Sequence, residues 1–327
     1  MIKIGVVGAG HLGKIHLKLL NSSKRFQLMG FYDTDSKISE ELSDKEGYKY
    51  FSNLDNLLDN VEAIDIISPT TTHYQIAKQA ILSNKHVFIE KPITDNVDHA
   101  KDIIQLSRKK NIIGQVGHVE RFNPAYVAAF NHIKDPMFIE SHRLSDFNPR
   151  GTDVSVIMDL MIHDIDIVLN TVKSKVKKIN ASGVSIISNS PDIANARIEF
   201  ENKCVANLTA SRISLKKMRK TRIFQKDAYI SIDFLEKELQ IVKIKDAVKS
   251  NSNLSMVIKT NRGKDKIIYF ENPEIIEENS ILTERSLELQ QQRYLDLDSR
   301  ILELSSIERN IVSNSTEEDL VMDNGQA

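Results

Sequence analysis

The first apolar run, Ile2-Lys3-Ile4-Gly5-Val6-Val7, is short and rich in β-branched residues, the pattern of a buried strand. Beyond it, Ile15, Leu19 and Leu20 recur at helical spacing within 14–20, and a second apolar run over 26–32 reads as another strand. The alternation then continues: a helical patch over 54–58, a strand over 63–68, a helix from Pro69 to about 83, a strand over 86–89, a helix over 96–109 and a strand over 112–117. Strands and helices in this succession predict a doubly wound parallel sheet. Past residue 120 the pattern changes. A strand over 138–147 and a helix over 159–169 are followed by strands over 183–187, 194–200, 204–212, 222–224, 228–233, 239–244 and 256–260. Hairpin-like turns such as Glu201-Asn202-Lys203 separate them, which predicts an α+β domain with a large, mostly antiparallel sheet. A charged, glutamine-rich helix is expected over 284–305, with Leu287, Tyr294, Leu297, Ile301 and Leu304 as its buried stripe. The expected domains are 1–120, 121–312 and a polar, acidic, disordered tail over 313–327.

Between the first strand and the first helix stands Gly8-Ala9-Gly10-His11-Leu12-Gly13, and the second strand ends at Asp33, twenty residues beyond Gly13. A GxGxxG turn alone is a weak signal, but strand, turn, helix and acid at this distance form the dinucleotide-binding fingerprint of a Rossmann unit. Gly8 allows the tight turn, Gly10 lets backbone approach a pyrophosphate, and Gly13 lets the helix pack against the strand. The helix N-terminus faces the anion. Asp33 would accept hydrogen bonds from the adenosine ribose. A carboxylate there repels a 2′-phosphate, and Thr34, Asp35 and Ser36 offer no cation for one, so NAD is favoured over NADP.

Composition narrows the partners. At 327 residues, 41% hydrophobic and 27% charged, the chain suits two soluble globular domains. A net charge of −1 gives no pull toward nucleic acid or an anionic membrane. Cys204 is the only cysteine, which excludes an intrachain disulfide and a thiolate metal cluster. No apolar run approaches the ~18 residues of a membrane span. The chain opens directly on a strand, so no signal peptide and a cytoplasmic location are expected.

Two further sites carry chemistry. In parallel sheets ligands gather at the carboxyl ends of strands, where Pro69, Lys91 and His118 fall. Glu90-Lys91-Pro92 would hold a lysine there; a plain loop lysine is the even-odds alternative. In Met158-Asp159-Leu160-Met161-Ile162-His163, Asp159 and His163 stand four apart and share a helix face, with Asp166 nearly on the same side. An acid–histidine pair at this spacing is more often a surface pair, but apolar Leu160, Ile162, Ile165 and Ile167 surround it. A metal reading of Asp159, His163 and Asp166 is weak, since no other histidine cluster or metal-ligand motif accompanies them, and no metal is expected. His16 is expected to pack against the first loop. The basic run 216–222 is by default a solvated loop, and otherwise a clamp for substrate phosphates.

Together, the glycine turn with His16, the Glu90-Lys91-Pro92 motif and the Asp159-x-x-x-His163 pair resemble, in order and spacing, the Gfo/Idh/MocA oxidoreductases over about residues 1–245. The stretches 114–124 and 210–220 look like members acting on nucleotide-linked amino sugars such as UDP-N-acetylglucosamine. Residues from about Ile281 depart from the family pattern. The resemblance implies an α/β chain with a Rossmann domain followed by an α+β substrate and oligomerisation domain built on an open sheet. The active site would lie between them, in a homodimer or homotetramer. It implies NAD held by Gly8, Gly10, His11, Leu12, Gly13, Asp33, Pro69, Thr70, His73, Glu90 and Lys91. Hydride would pass from a sugar carbinol carbon to the nicotinamide, with His163 as base, Asp159 orienting it and Lys91 bonding the hydroxyl. Arg121, Asn123 and Asp166 would touch substrate. A non-catalytic NAD-sensing regulator and an NAD-using glycosidase are the alternatives; retention of Lys91, Asp159 and His163 favours the dehydrogenase.

Overall fold

The computed structural model describes residues 1–148, 154–246, 255–258 and 266–271. They fall into two compact units, Met1–His118 and a second beginning at Val119. The expected helix over 284–305 and the tail over 313–327 lie outside the described residues.

The first unit contains β1 (Ile2–Val7), α1 (His11–Ser22), β2 (Phe26–Tyr32), α2 (Ser36–Glu46) and α3 (Leu54–Leu58). It continues with β3 (Ala63–Ile66), α4 (Thr70–Leu82), β4 (His86–Ile89), α5 (Val97–Lys110) and β5 (Gly114–Val116). The strands are parallel, in the order β2-β1-β3-β4-β5. The chain moves outward from β1 to β2 and then returns to β3 on the other side. The crevice beyond the ends of β1 and β3 is therefore the switch point where such sheets bind ligands. Val7, Ile64, Ile66, Val87 and Ile89 from the strands pack with Leu57, Ala77, Ile81 and Ile103 from the helices. A sheet sandwiched this way reads as continuous apolar strands, which is why it was legible.

Two details differ from expectation. On α1 the buried residues are Gly13, Leu17 and Leu20, whereas Ile15 is 42% exposed. The close approach of Gly13 to the turn sets the helix phase, and apolarity alone put the face one position off. Helix α2 was not foreseen. Its interior buries only Ser39 and Leu42, and it is defined by its ends: Asp35 accepts the Lys37 and Ile38 N–H groups, and Gly47 leaves it at φ 73°.

The second unit is a nine-stranded sheet with two helices, α6 (Pro124–Phe130) and α7 (Ile162–Thr171), among its described residues. Its strands are β6 (Phe138–Leu144), β7 (Val176–Val184), β8 (Ile193–Phe200), β9 (Val205–Ser211) and β10 (Met218–Phe224). They continue with β11 (Ala228–Asp233), β12 (Glu238–Asp246), β13 (Ser255–Ile258) and β14 (Lys266–Glu271). The order is β13-β14-β12-β11-β10-β6-β9-β8-β7, and β6 runs parallel to β9 while the other neighbours are antiparallel. Ile139, Ala206, Leu208, Ile223 and Ile230 form one face of the sheet and pack with Tyr126, Ala129, Ile165 and Val168 of the helices. Phe138, Phe224 and Tyr229 contact one another on the opposite face, with ring centroids 5.8 and 5.0 Å apart.

The strand expected over 183–187 meets β7 only at Gly183 and Val184, because Lys177, Lys178 and Asn180 hide the alternation of the true strand, and β14 was not expected at all. Most of the basic run 216–222 is strand: β10 begins at Met218. Lys220 sits opposite Asp233 and Arg222 opposite Glu140, with ion pairs at 3.2 and 2.9 Å, so cross-strand acids accommodate the cations.

Candidate active site

At the end of β1 the chain turns through Gly8, at φ 101°, where a Cβ would come within 2.8 Å of the Ile67 carbonyl. A Cβ at Gly13 would lie 2.0 Å from the Gly8 oxygen, so strand and helix pack backbone to backbone. At Gly10 a Cβ would meet nothing within 4 Å. Two glycines thus make the turn, and the third faces an open cradle. Helices α2, α3 and α5 are each capped by the side chain of Asp35, Asn53 or Asn96. The two helices at the switch point, α1 and α4, have no side-chain cap. A helix start without a side-chain cap is the arrangement that suits an anion. His11 and Leu12 are exposed at the start of α1, and Pro69 and Thr70 begin α4. Asp33 Oδ2 accepts the Ala9 N–H at 2.6 Å and Oδ1 accepts the Asp35 N–H at 2.9 Å. The acid is thereby aimed at the glycine turn. This donor set fits a dinucleotide.

The next crevice residue, Lys91, is half-buried between two residues with internal tasks. Glu90 is buried, and its Oε2 accepts the Lys91 N–H at 3.1 Å. Its carboxylate occupies the space a side chain at Gly117 would need, since a Cβ there would lie 2.6 Å from Oε1. On the other side, His73 is 1% exposed and bonds the Pro92 carbonyl through Nδ1 at 2.9 Å and the Ser68 carbonyl through Nε2 at 2.8 Å. His73 and Glu90 therefore shape the loops from within. His16 does not pack on the first loop as expected; it spans to β3 and β4. Its Nδ1 lies 2.8 Å from Asp65 Oδ2 and its Nε2 lies 3.6 Å from Glu90 Oε1. Burial opposes the charged ring, but the Asp65 hydrogen bond and the charges of Asp65 and Glu90 outweigh it and raise the His16 pKa. Burial likewise raises Asp65 and Glu90, with His16 working against it.

In the second unit Asp159 lies in a π-helical turn, Ile157–Met161, which leads directly into α7, and His163 is the second residue of that helix. A π turn closes over five residues, so four-residue spacing here is not the strict single-face spacing of an α-helix. Both side chains are half-buried. Their acidic neighbours on α7 are held by arginines. Arg121 grips Asp166 through Nε at 2.6 Å and through a second, shorter bond from Nη2. Arg143 donates to Asp164 at 3.0 and 3.1 Å and to Glu120 at 2.9 Å. Asp164 and its neighbours raise the Arg143 pKa against the burial that would lower it. Asn123 caps α6 by accepting the Ala125 N–H and donates to the Phe234 carbonyl at 2.9 Å. Arg121 and Asp166 thus meet each other, and Asn123 has a structural task. In the basic run, Lys217 pairs with Asp146 at 3.3 Å and Arg219 stands 3.9 Å from Glu120.

Asp65, Gly117, Glu120, Arg143 and Asp164 were not singled out from sequence. Asp65 was findable as a lone acid inside the apolar run Ala63-Ile64-Asp65-Ile66, and Arg143 as a cation at a core-facing position of its strand. Among the described residues no cluster of histidine, cysteine or acids could hold a metal ion, and no helix is long and apolar enough to cross a membrane.

A glycine cradle at the switch point of a parallel sheet, followed by a second unit on an open sheet, is the architecture of a dinucleotide-dependent oxidoreductase. Residues 2–118 match the family described as "Oxidoreductase family, NAD-binding Rossmann fold", and residues 113–231 match the "GFO/IDH/MocA C-terminal domain". The chain belongs to the Gfo/Idh/MocA family, and NAD is its cofactor. It is 36% identical over 244 residues to UDP-N-acetylglucosamine 3-dehydrogenase of Acidithiobacillus ferrooxidans, covering 73% of this chain and 76% of that one. The solved structure of that enzyme superposes with a TM-score of 0.81 at 28% identity, over 95% of this chain and 97% of the other. Inositol 2-dehydrogenase of Rubrobacter xylanophilus is 28% identical over 56% of each chain. Scyllo-inositol dehydrogenase of Lactobacillus casei shares the fold, with a TM-score of 0.69 at 19% identity over 96% of this chain and 98% of its own.

Proposed function

We propose that the chain oxidises a carbinol carbon of a nucleotide-linked amino sugar with NAD. UDP-N-acetylglucosamine at C3 is the first candidate, after the 36% identical relative of that name. The observation that carries the reading is the open glycine cradle at the switch point, with Lys91 at the carboxyl end of the nearby strand β4. Glu90 and Pro92 are fixed by internal bonds around a half-buried Lys91. Asp164 and Asp166 are held by arginines on either side of a helix start that presents a half-buried His163.

NAD supplies the hydride acceptor. The chain's residues must then handle the proton, because a carbinol gives up hydride readily only as its hydroxyl is deprotonated. His163 takes that proton, and Asp159 orients the ring and favours its charged form. Lys91 donates a hydrogen bond to the same oxygen and stabilises the developing alkoxide. Gly8, Gly10, Gly13 and the uncapped helix starts hold the pyrophosphate, and Asp33 holds the adenosine ribose. Lys216, with Lys217 and Arg219 exchanging their partners Asp146 and Glu120, would meet a substrate diphosphate. The protein works as a cytoplasmic homodimer or homotetramer, joined through the sheet face that carries Phe138, Phe224 and Tyr229.

Incubation with NAD and a panel of nucleotide sugars, followed by absorbance of reduced nicotinamide, tests the reading. Accumulation of NADH with UDP-N-acetylglucosamine is expected. Turnover of a glycoside without net NADH would make the chain a glycosidase, and silence across the panel despite NAD binding would leave a sensor.

A further inference from the structure

We propose that His16 is a positioning residue for Lys91, acting through Glu90. The inference rests on the reading that Lys91 bonds the reacting hydroxyl. Its geometric basis lies within the first unit. Lys91 follows β4, and the residues before and after it are held from within the first unit. Pro92 is held by His73, which ties its carbonyl to that of Ser68 at the end of β3. Glu90 is held by its backbone N–H to the Ile66 carbonyl at 2.9 Å, and its side chain is held separately. That carboxylate has His16 Nε2 on one oxygen and the Lys91 N–H on the other, with Gly117 leaving room behind it. His16 in turn is anchored on Asp65, a carboxylate that is 3% exposed.

The three groups make sense only together. Two buried carboxylates on adjacent strands repel each other, and a buried acid without a cation is costly. A histidine from α1 with one nitrogen toward each acid neutralises part of that charge and fixes both. The groups facing the ring are Asp65 from β3, Phe88 from β4 and Glu90 just after β4, the Phe88 ring lying 6.0 Å away. The raised pKa of His16 agrees with a ring that keeps its proton there. Loss of that contact frees the Glu90 side chain to rotate, and Lys91 loses the acceptor of its own N–H. Displacement of a catalytic group by about 1 Å can cost as much as 10²-fold in rate.

Two variants disturb the Glu90 carboxylate by unrelated means. His16→Asn keeps a donor for Asp65 but withdraws the contact to Glu90, and Gly117→Ala pushes the carboxylate sterically without changing any polar group. Each should lower kcat by roughly 10-fold or more while leaving the Kd for NAD within about twofold. Each should have no further effect on kcat once Lys91 is alanine, because both then act on a residue already removed. A purely structural role predicts the opposite, equal losses with and without Lys91. Either variant decides the matter if the other fails to fold. Unchanged kcat in folded His16→Asn or Gly117→Ala, or additive losses with Lys91→Ala, would overturn the positioning role alone. Full kcat in Lys91→Ala would overturn the proposed function of the lysine and this inference with it.

Discussion

Asp33 has two roles that its replacement by alanine would expose. Its oxygens hold the Ala9 and Asp35 N–H groups, tying the end of β2 to the glycine turn. In the proposed dinucleotide complex it would also accept from the ribose hydroxyls. A hydrogen bond to an ionised group is worth roughly 1.5–3 kcal/mol, and each ~1.4 kcal/mol is tenfold in Kd. Asp33→Ala should therefore weaken NAD by about 10- to 100-fold. Its effect on NADP has the opposite sign in part. Two unit charges ~4 Å apart repel by about 4 kcal/mol at an effective dielectric near 20, a penalty the native acid imposes on a 2′-phosphate. Loss of the loop tie falls on both cofactors alike. Relief of ~4 kcal/mol is about 10³-fold for NADP, and the 10- to 100-fold loss of NAD multiplies it, so the ratio of the two affinities should move toward NADP by about 10⁴- to 10⁵-fold. Calorimetric titration of both dinucleotides into native protein and variant is the measurement. Equal or tighter NADP binding by the native protein, or an unchanged ratio in Asp33→Ala, would refute the reasoning.

His163→Asn should keep NAD affinity and lower kcat by roughly 10²–10⁴, the usual worth of a positioned base, while Asp159→Asn should be milder; steady-state rates on a verified substrate check both. Arg143→Met strands Asp164 and Glu120 in the interior, a loss of about 3–5 kcal/mol. At roughly 2–4 °C per kcal/mol, the melting midpoint of the variant should fall by about 6–20 °C, and a shift within about 1 °C would sink the buried-pair account. Folding raises the pKa of His16, Asp65 and Glu90, so at these three groups the folded state binds more protons than the unfolded one. The His16 contribution is complete below its ordinary 6.5 and is lost as pH rises through its folded pKa. The two raised acids slope the same way at lower pH. Urea midpoints for the first unit should accordingly fall from mildly acid to mildly alkaline buffer, and a rise over that span would contradict the network.

The fold was legible where apolar residues run together. β1, β2 and β4 are continuous apolar runs, and their bounds agree with the structure. It was obscured where an element is defined by something other than apolar content. Helix α2 is set by Asp35 and Gly47, and α1 takes its phase from a glycine with no side chain to signal it. In β10 the cations that suggested a loop are matched by Glu140 and Asp233 on neighbouring strands, more than eighty and about ten positions away in the chain. Hydrophobic period reports one strand at a time, so its partners across the sheet are invisible to it.

The site followed the same division. Gly8, Gly10, Gly13 and Asp33 were readable because one βαβ unit brings them together through local turns. The support behind Lys91 was not. Neighbouring strands of a sheet lie only ~5 Å apart, yet a parallel crossover separates them by a whole helix of sequence. His16 and Asp65 are 49 residues apart and meet at 2.8 Å. A histidine three positions after a glycine turn, an acid inside an apolar strand and an acid before a lysine each look ordinary alone. What makes them a unit is that β1, β3 and β4 are consecutive in the sheet. The helix following β1 can therefore lower one side chain across the ends of the next two strands. Local sequence supplies the glycine turn and its acid, and the strand order brings His16, Asp65 and Glu90 together behind Lys91. A search confined to motifs finds the first kind and passes over the second.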